Sequence, residues 1–360
     1  MSAAEEPPDP AGGSVDYDPS LIGVHMQPPL SAWPSFDGLE PAPLAGGLIN
    51  DSFVLGDPPV AVLQRLHPVF GPSVHEDIAA ITAHLAAAGM VTPRLIPTGD
   101  GDLYALDDEG RCWRAMTFVP GVTRDQLDDP ALAAAAGDLV GRWHAATGDL
   151  KRDFVFTRPG AHDTEKHMKV LQGAVDGHAD HRLYDRVAVL AEHILGAWER
   201  WSGRLDGPVR VCHGDLKISN LRFDDEGHGV CLIDLDTMAN LPLDVEMGDA
   251  FRSWCNPDGE DVEEARFHPE LFVPAARAWL LACPQPAEEV EALVPGIQRI
   301  CLELAARFAA DALNESYFGW DASRFSGRGE HNLLRALGQS SLADSVAAQR
   351  LLLEDTLKRG

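Results

Sequence analysis

The chain has 360 residues, 45% of them hydrophobic and 24% charged. That suffices for one large or two ordinary globular domains and excludes a fibrous or wholly disordered protein. With 29 Lys and Arg against 56 Asp and Glu, the formal charge is −27, so repulsion from phosphate excludes a general nucleic-acid binder and attraction to anionic membranes.

Residues 1–42 are rich in Pro, Gly, Ser and acid, the composition of a disordered or extended segment without chemistry of its own. The first basic residue is Arg65, so no targeting segment is expected, and the location read from this is cytoplasmic. No apolar run approaches the length of about 18 residues that a membrane span needs. The six cysteines form no CxxC pair and read as free thiols.

From residue 43 the texture changes. Two short apolar runs, 48–55 and 60–66, flank the turn Asp57-Pro58-Pro59 and predict a β-hairpin. A further strand pair is expected across 94–107 and 111–119. Between them, Ser73-Val74-His75-Glu76 has the form of a capping box, opening a helix to about Ala88 with Gly89 beyond it. A helix is predicted from Asp129-Pro130 to Thr147, and others near 180–202, 261–282, 286–315 and 329–357. One β-like stretch, 209–235, sits among these helices. The order is a two-lobe α+β layout: a β-rich lobe over 43–120, a boundary at Pro120-Gly121, and a helical lobe over 121–360. Trp254, Trp279 and Trp320 are expected in packing roles.

The chemistry concentrates in Val211-Cys212-His213-Gly214-Asp215-Leu216-Lys217-Ile218-Ser219-Asn220, followed by Val230-Cys231-Leu232-Ile233-Asp234-Leu235-Asp236. A loop and a returning strand end bring Asp215, Asn220 and Asp234 together. Carboxylate and amide oxygens suit a hard cation such as Mg²⁺ that bridges phosphates. Asp215 is then free to accept a proton from a hydroxyl, and Lys217 to neutralise a transferring phosphoryl group, which are the parts that phosphoryl transfer needs.

The stretch His213-Gly214-Asp215-Leu216-Lys217-x-x-Asn220, with Ile233-Asp234 after it, resembles the catalytic and metal-binding loops of the aminoglycoside phosphotransferase/choline kinase superfamily. The resemblance spans about 43–350 and implies a protein-kinase-like fold with a small β-rich N-lobe and a larger helical C-lobe. It implies Asp215 as catalytic base, Asn220 and Asp234 as Mg²⁺ ligands, ATP as phosphoryl donor, His213 as support for the loop, and Asp249 as the residue that ties the loop down. Gly46, Gly47 and Asn50 resemble the glycine loop over the phosphates, and Phe118-Val119 the adenine-contacting hinge.

Within the superfamily, the sequence is most similar to the N-acetylhexosamine 1-kinase type. The echoes are Gly-Gly-Leu-Ile-Asn-Asp-Ser, Val-Leu-Gln-Arg, Ile-Asp-Leu-Asp-Thr and Gly-Asp-Ala-Phe-Arg, with Arg307-Phe308, Tyr317-Phe318 and His331-Asn332-Leu333 after them. This implies a sugar acceptor, with Arg307 and Tyr317 in its site and Asp51 and Asp236 as further contacts to sugar hydroxyls. Aminoglycoside, choline, homoserine and methylthioribose kinases are the alternative acceptor classes.

One departure stands out. The chain has five lysines, the first at Lys151, so the third-strand lysine of kinase-like folds is missing. Gln64 falls at its offset and Arg65 follows. Side chains alternate along a strand, so only one of the two faces the cleft. Glu76 is either the N3 partner of Ser73 or the helix residue paired with the strand cation, in which case Arg65 is that cation. The missing lysine also motivates a catalytically silent nucleotide-binding protein. A metal phosphoesterase using His213, Asp215, Asp234 and Asp236 is a third reading, short of the histidines that such sites use.

Overall fold

A computed structural model describes residues 28–44 and 50–358. Gly46 and Gly47 lie outside the described residues, as do 1–27 of the expected N-terminal segment. Residues 28–43 are part of the β-lobe and not a draped tail. Trp33 is fully buried with Phe36, Leu55, Ala61, Leu63, Trp113 and Ala115, and its indole Nε1 donates to the Ile96 carbonyl at 2.8 Å. Two large aromatic side chains give this Pro-rich stretch enough apolar surface to hold it down, which composition alone conceals.

The β-lobe contains β1 (Pro41–Pro43), β2 (Asp51–Leu55), β3 (Ala61–Arg65), β4 (Leu95–Ile96), β5 (Ala105–Leu106) and β6 (Cys112–Thr117). The sheet order is β1-β2-β3-β6-β4, with β5 also on β6, and every pairing is antiparallel. Helix α1 (Val74–Ala87) crosses between β3 and β4. Gly89 follows it at φ 82°, as its position predicted. The Ser73 side chain makes no capping hydrogen bond, because its backbone is already helical and points the hydroxyl away from the free N–H groups.

The helical lobe contains α2 (Pro130–Thr147), α3 (Thr164–Gly177), α4 (Tyr184–Arg200), α5 (Leu243–Trp254), α6 (Pro269–Ala282), α7 (Ala287–Asn314) and α8 (Arg328–Lys358). Inserted before α5 are β7 (Val209–Cys212), β8 (Leu221–Phe223), β9 (Gly229–Leu232) and β10 (Ala239–Pro242), paired as two antiparallel ribbons, β7 with β10 and β8 with β9. The six cysteines are free. Two helices escaped the sequence reading. Helix α3 buries only the narrow stripe Thr164, Met168, Leu171 and Ala174, and α5 starts without a side-chain cap straight after β10.

Just past the lobe boundary, Val122 and Phe223 exchange backbone hydrogen bonds at 2.8 Å each. Asp77 on α1, itself buried, accepts from Arg152 Nε at 2.7 Å and from the backbone N–H groups of Val155 and Phe156.

Helices α5 and α7 meet backbone to backbone. A Cβ at Gly296 would lie 2.2 Å from the Asp244 carbonyl oxygen, and one at Gly248 2.8 Å from that of Gly296. This contact fixes the height of α5 beneath the catalytic loop. Gly296→Ala should therefore lower stability by about 1–3 kcal/mol through overpacking and reduce kcat, as read by thermal melts and steady-state rates; an unchanged melting temperature would show that α5 can shift without cost.

Candidate active site

The catalytic loop leaves β7 at Cys212 and turns at Gly214, whose φ is 80°. A Cβ there would lie 2.2 Å from the Thr237 carbonyl oxygen, so only glycine lets the loop pass that close. Beneath it, the buried Glu246 carboxylate on α5 accepts from the His213 N–H at 2.8 Å and the Gly214 N–H at 2.9 Å, one on each oxygen. Trp254 Nε1 donates to the Leu216 carbonyl at 2.7 Å, and His213 Nε2 donates to the Ile233 carbonyl at 2.9 Å. The sequence reading gave the tying role to Asp249. The structure gives it to Glu246, one helical turn earlier, whose longer side chain lies directly under the loop. Asp249 is instead paired with Arg252 at 2.9 Å.

Glu246 is itself oriented. Trp279 Nε1 donates to His144 Nδ1 at 2.9 Å, which puts the imidazole proton on Nε2, 3.5 Å from Glu246 Oε1. Burial pushes the Glu246 carboxyl up, but His144 and the loop N–H groups outweigh it and hold the group below its ordinary range. His144, Cys212 and Glu246 have the proximity of a metal cluster. Both carboxylate oxygens and His144 Nδ1 are already engaged, and burial drives the Cys212 thiol well up, so this set serves the loop.

Asp215 stands above this support, half-buried. Its Oδ2 accepts from Lys217 Nζ at 2.9 Å and from Asn220 Nδ2 at 3.1 Å. Asn220 Nδ2 also donates to the Asp215 carbonyl at 2.8 Å. Neither Asp215 Oδ1 nor Asn220 Oδ1 has a hydrogen-bond partner among the described residues, and neither does the Asp234 carboxylate. Asp234 follows β9 by two residues and has left-handed backbone (φ 62°, ψ 62°). Burial and the neighbouring Asp236 raise its carboxyl above the usual range, opposed by Lys217, and Asp215 adds to the repulsion. Burial lowers Lys217, but Asp215, Asp234 and Asp249 outweigh it, and the ammonium is held above its ordinary value. Converging carboxylates, one lysine and a free amide oxygen fit a hard divalent cation.

On the β-lobe side, register decides which residues reach the cleft. Gln64 lies opposite Ser52 and Arg114, and Arg65 opposite Asp51 and Trp113. Arg65 points to the outer face, where Nη2 pairs with Asp51 at 2.7 Å. Gln64 points inward, and its Oε1 accepts from Arg114 Nε at 2.9 Å and Nη2 at 2.8 Å. Glu76 is exposed and receives only a backbone contact from Arg152. The expectation of an Arg65–Glu76 pair is therefore corrected: the two lie on different faces, and neither points at the phosphate side. Asp51 is likewise taken up by Arg65 on the outer face rather than by a substrate.

Arg114 is the cleft-side cation that the sequence reading missed. It pairs with Asp236 through both terminal nitrogens, Nη2 to Oδ2 at 3.0 Å. Asn50 Nδ2 donates to the same Oδ2 at 2.8 Å. Asp236 is 1% exposed, so it cannot also contact sugar hydroxyls as expected. The signal was available, since Arg114 interrupts the otherwise apolar strand 112–116. At the expected hinge, the Phe118 N–H donates to the Val60 carbonyl at 3.2 Å, the Arg222 guanidinium lies 5.5 Å from the Phe118 ring centre, and Val119 is buried.

A second polar group runs from Asp249 along α7. Burial pushes the Asp249 carboxyl above its ordinary range, opposed by Arg252, with Asp215 adding to the rise and His162 opposing it. His162 Nδ1 lies 3.1 Å from Glu303 Oε1, and Thr164 Oγ1 donates to Glu303 Oε2 at 2.6 Å. One turn on, the Arg307 guanidinium lies 5.9 Å from the Tyr317 ring centre and 5.4 Å from that of Phe318. Buried Asp311 holds this aromatic loop by accepting from the Tyr317 N–H at 2.8 Å, the Phe318 N–H at 2.9 Å and Asn332 Nδ2 at 2.8 Å. Trp254 and Trp279 are fully buried, whereas Trp320 is 36% exposed.

The sequence pattern of the phosphotransferase enzyme family matches residues 40–280. The chain belongs to this family. Solved structures of similar fold include an aminopropanol kinase associated with a microcompartment (15% identity, 89% of this chain and 96% of that one, TM-score 0.62). An amicoumacin kinase in complex with AMP-PNP, Ca²⁺ and Ami is similar at 13% identity (90% and 93% covered, TM-score 0.58). An aminoglycoside phosphotransferase from Alicyclobacillus acidocaldarius is similar at 16% (94% and 98% covered, TM-score 0.58). A comparison with curated protein sequences finds no match. The two-lobe kinase-like fold is thus shared with these proteins, while such identities carry the fold alone.

For a phosphotransferase, the anchored loop has a measurable consequence. Glu246→Ala leaves two buried N–H groups without a partner, at about 1–3 kcal/mol each, and should lower kcat by about 10²-fold through misplacement of Asp215; rates and melting curves on one preparation check this. Asp234→Asn removes ionised-carboxylate repulsion. The raised group opposes folding when ionised and ceases to do so as pH falls through its folded value. The metal-free variant should therefore melt higher than wild type near neutral pH, by about 0.5–2 kcal/mol, with the gap closing in acid.

Proposed function

We propose that the protein is an ATP-dependent small-molecule kinase that phosphorylates a sugar hydroxyl, namely the anomeric hydroxyl of an N-acetylhexosamine or a related hexose. The observation that supports the kinase reading is the arrangement at Asp215: one oxygen is held by Lys217 and Asn220, the other is open, and the loop beneath is fixed by Glu246.

In this reading the acceptor oxygen attacks the γ-phosphorus, its proton passes to Asp215 Oδ1, and the bond to the β–γ bridging oxygen breaks with its electron pair leaving on ADP. Lys217 balances charge on the transferred group. Asn220 and Asp234 would hold Mg²⁺, which supplies charge neutralisation for the nucleotide phosphates. The hinge at Phe118 and Val119 would take the adenine, and Gly46 and Gly47 the phosphate side; Asn50, expected there too, is instead buried and committed to Asp236 and the His67 N–H. Gln64 stays on the cleft face as a neutral group, and Arg65 is not part of the nucleotide site. His213 positions the loop.

The sugar reading rests on the sequence echoes of N-acetylhexosamine 1-kinases and on the Arg307–Tyr317–Phe318 group. There, an exposed aromatic face and a planar guanidinium offer a surface for a ring and donors for hydroxyl or acetamido oxygens. The run of carboxylates Asp215, Asp249 and Glu303 favours a second reading, an aminated acceptor of the aminoglycoside or amino-alcohol kind.

ADP release from ATP·Mg²⁺ across N-acetylglucosamine, N-acetylgalactosamine, glucose, galactose, kanamycin, choline and homoserine separates these. Turnover with a hexosamine, reduced by Arg307→Ala mainly through KM, is the expected result. Turnover with kanamycin or choline alone would replace the sugar reading with the second.

A further inference from the structure

We infer that the buried Arg114–Asp236 pair is a positioning device that couples the β-lobe to the metal-ligand turn. It rests on the reading of Asp234 as a metal ligand. Asp236 lies in the short helical turn Leu235–Thr237 that begins directly after Asp234. Among the described residues, the three hydrogen-bond donors to its carboxylate come from the β-lobe: Arg114 Nη1, Arg114 Nη2 and Asn50 Nδ2. Arg114 is fixed from behind by Gln64 Oε1, and Gln64 Nε2 donates in turn to Ser52 Oγ at 3.0 Å.

The guanidinium is 1% exposed, with its nitrogens committed to Asp236 and Gln64. No face of it is left for a phosphate, so it does not stand in for the missing strand lysine. His75 beside it is fully buried with Nε2 unpartnered. Burial and Arg114 push its imidazole down to about 4, so it stays neutral and does not compete for Asp236.

On the helical side the turn is held by burial of Leu235 and Met238 and by the close pass of the Thr237 carbonyl at Gly214. Thr237 Oγ1 donates to the His213 carbonyl at 3.1 Å, and Asp234 itself holds a left-handed backbone that needs its surroundings to maintain it. Where the β-lobe moves, Asp236 moves with it, and Asp234 is two residues away. The pair therefore sets how well Asp234 is presented when nucleotide draws the lobes together.

Calorimetric titration with AMP-PNP, with and without Mg²⁺, tests this on the full chain, with melting curves to confirm folding. Arg114→Lys and Asp236→Asn should each cut the Mg²⁺-dependent gain in affinity by about tenfold while changing metal-free affinity by no more than roughly twofold. The reciprocal double variant Arg114→Lys/Asp236→Glu, which restores the pair, should recover most of that gain. Asn50→Ser, which removes one donor, keeps the test available if a pair variant does not fold, with a loss of about threefold in the same gain.

An equal fall of metal-free and metal-loaded affinity in Arg114→Lys would mean direct phosphate contact and overturn the inference. An unchanged gain in folded variants would make the pair purely structural and overturn it too. Absence of any Mg²⁺-dependent gain in the wild type would remove Asp234 as a ligand, and the coupling with it.

Discussion

The site depends on one buried carboxylate. Glu246 offers an oxygen to each of two successive backbone N–H groups of the catalytic loop, and charge-assisted bonds of this kind in a dry environment are strong and directional. Its support reaches outward in both directions. His144 and Trp279 fix its orientation from α2 and α6, and the close contact of Gly248 with Gly296 fixes the height of α5 on α7. The helical lobe thereby gives a flexible, glycine-containing loop a single position. Asp215 inherits that position without itself being buried.

Charge follows a different division. The β-lobe has no lysine, its outer-face Arg65 is paired with Asp51, and its one buried arginine is committed to Asp236. On the helical side, Asp215, Asp234 and Asp249 surround Lys217. Such a site is repulsive without a counter-cation, and that repulsion is what makes it receptive to one. In the proposed function, negative charge arriving with a nucleotide would be met by the metal ion and by Lys217 rather than by a β-lobe lysine. The protein's net charge of −27 is compatible with binding a polyphosphate on those terms.

Much of this was legible in the sequence. The motif from His213 to Asn220, short in spacing and chemically specific in residue type, drew attention to a loop whose side chains the structure brings together, with Lys217 and Asn220 both donating to Asp215. The hairpin at 51–65 and helices α1, α2, α7 and α8 followed from periodicity, turns and terminal glycines. What failed was tertiary in origin. Glu246 and Asp249 lie one turn apart on the same helix, and only the packing of α5 shows which lies beneath the loop. Gln64 and Arg65 differ by one residue on a strand, and only register shows that Arg65 faces outward. Arg114 lies on β6 rather than on the third strand where a kinase-like cation is expected, and an arginine within an apolar strand signals a buried partner. Trp33 and Phe36 were lost in a Pro-rich context, and α3 in its narrow apolar stripe.

The central claim is that Asp215 activates an acceptor hydroxyl for transfer of the γ-phosphoryl group. Phosphorus-31 NMR of a reaction of ATP·Mg²⁺ with N-acetylgalactosamine, run with wild type and Asp215→Asn, tests it most directly. The account predicts a sugar phosphomonoester resonance growing in step with ADP in the wild type and reduced by about 10²–10⁴-fold in the variant. ADP and inorganic phosphate forming at equal rates in both proteins, with no phosphomonoester, would contradict it.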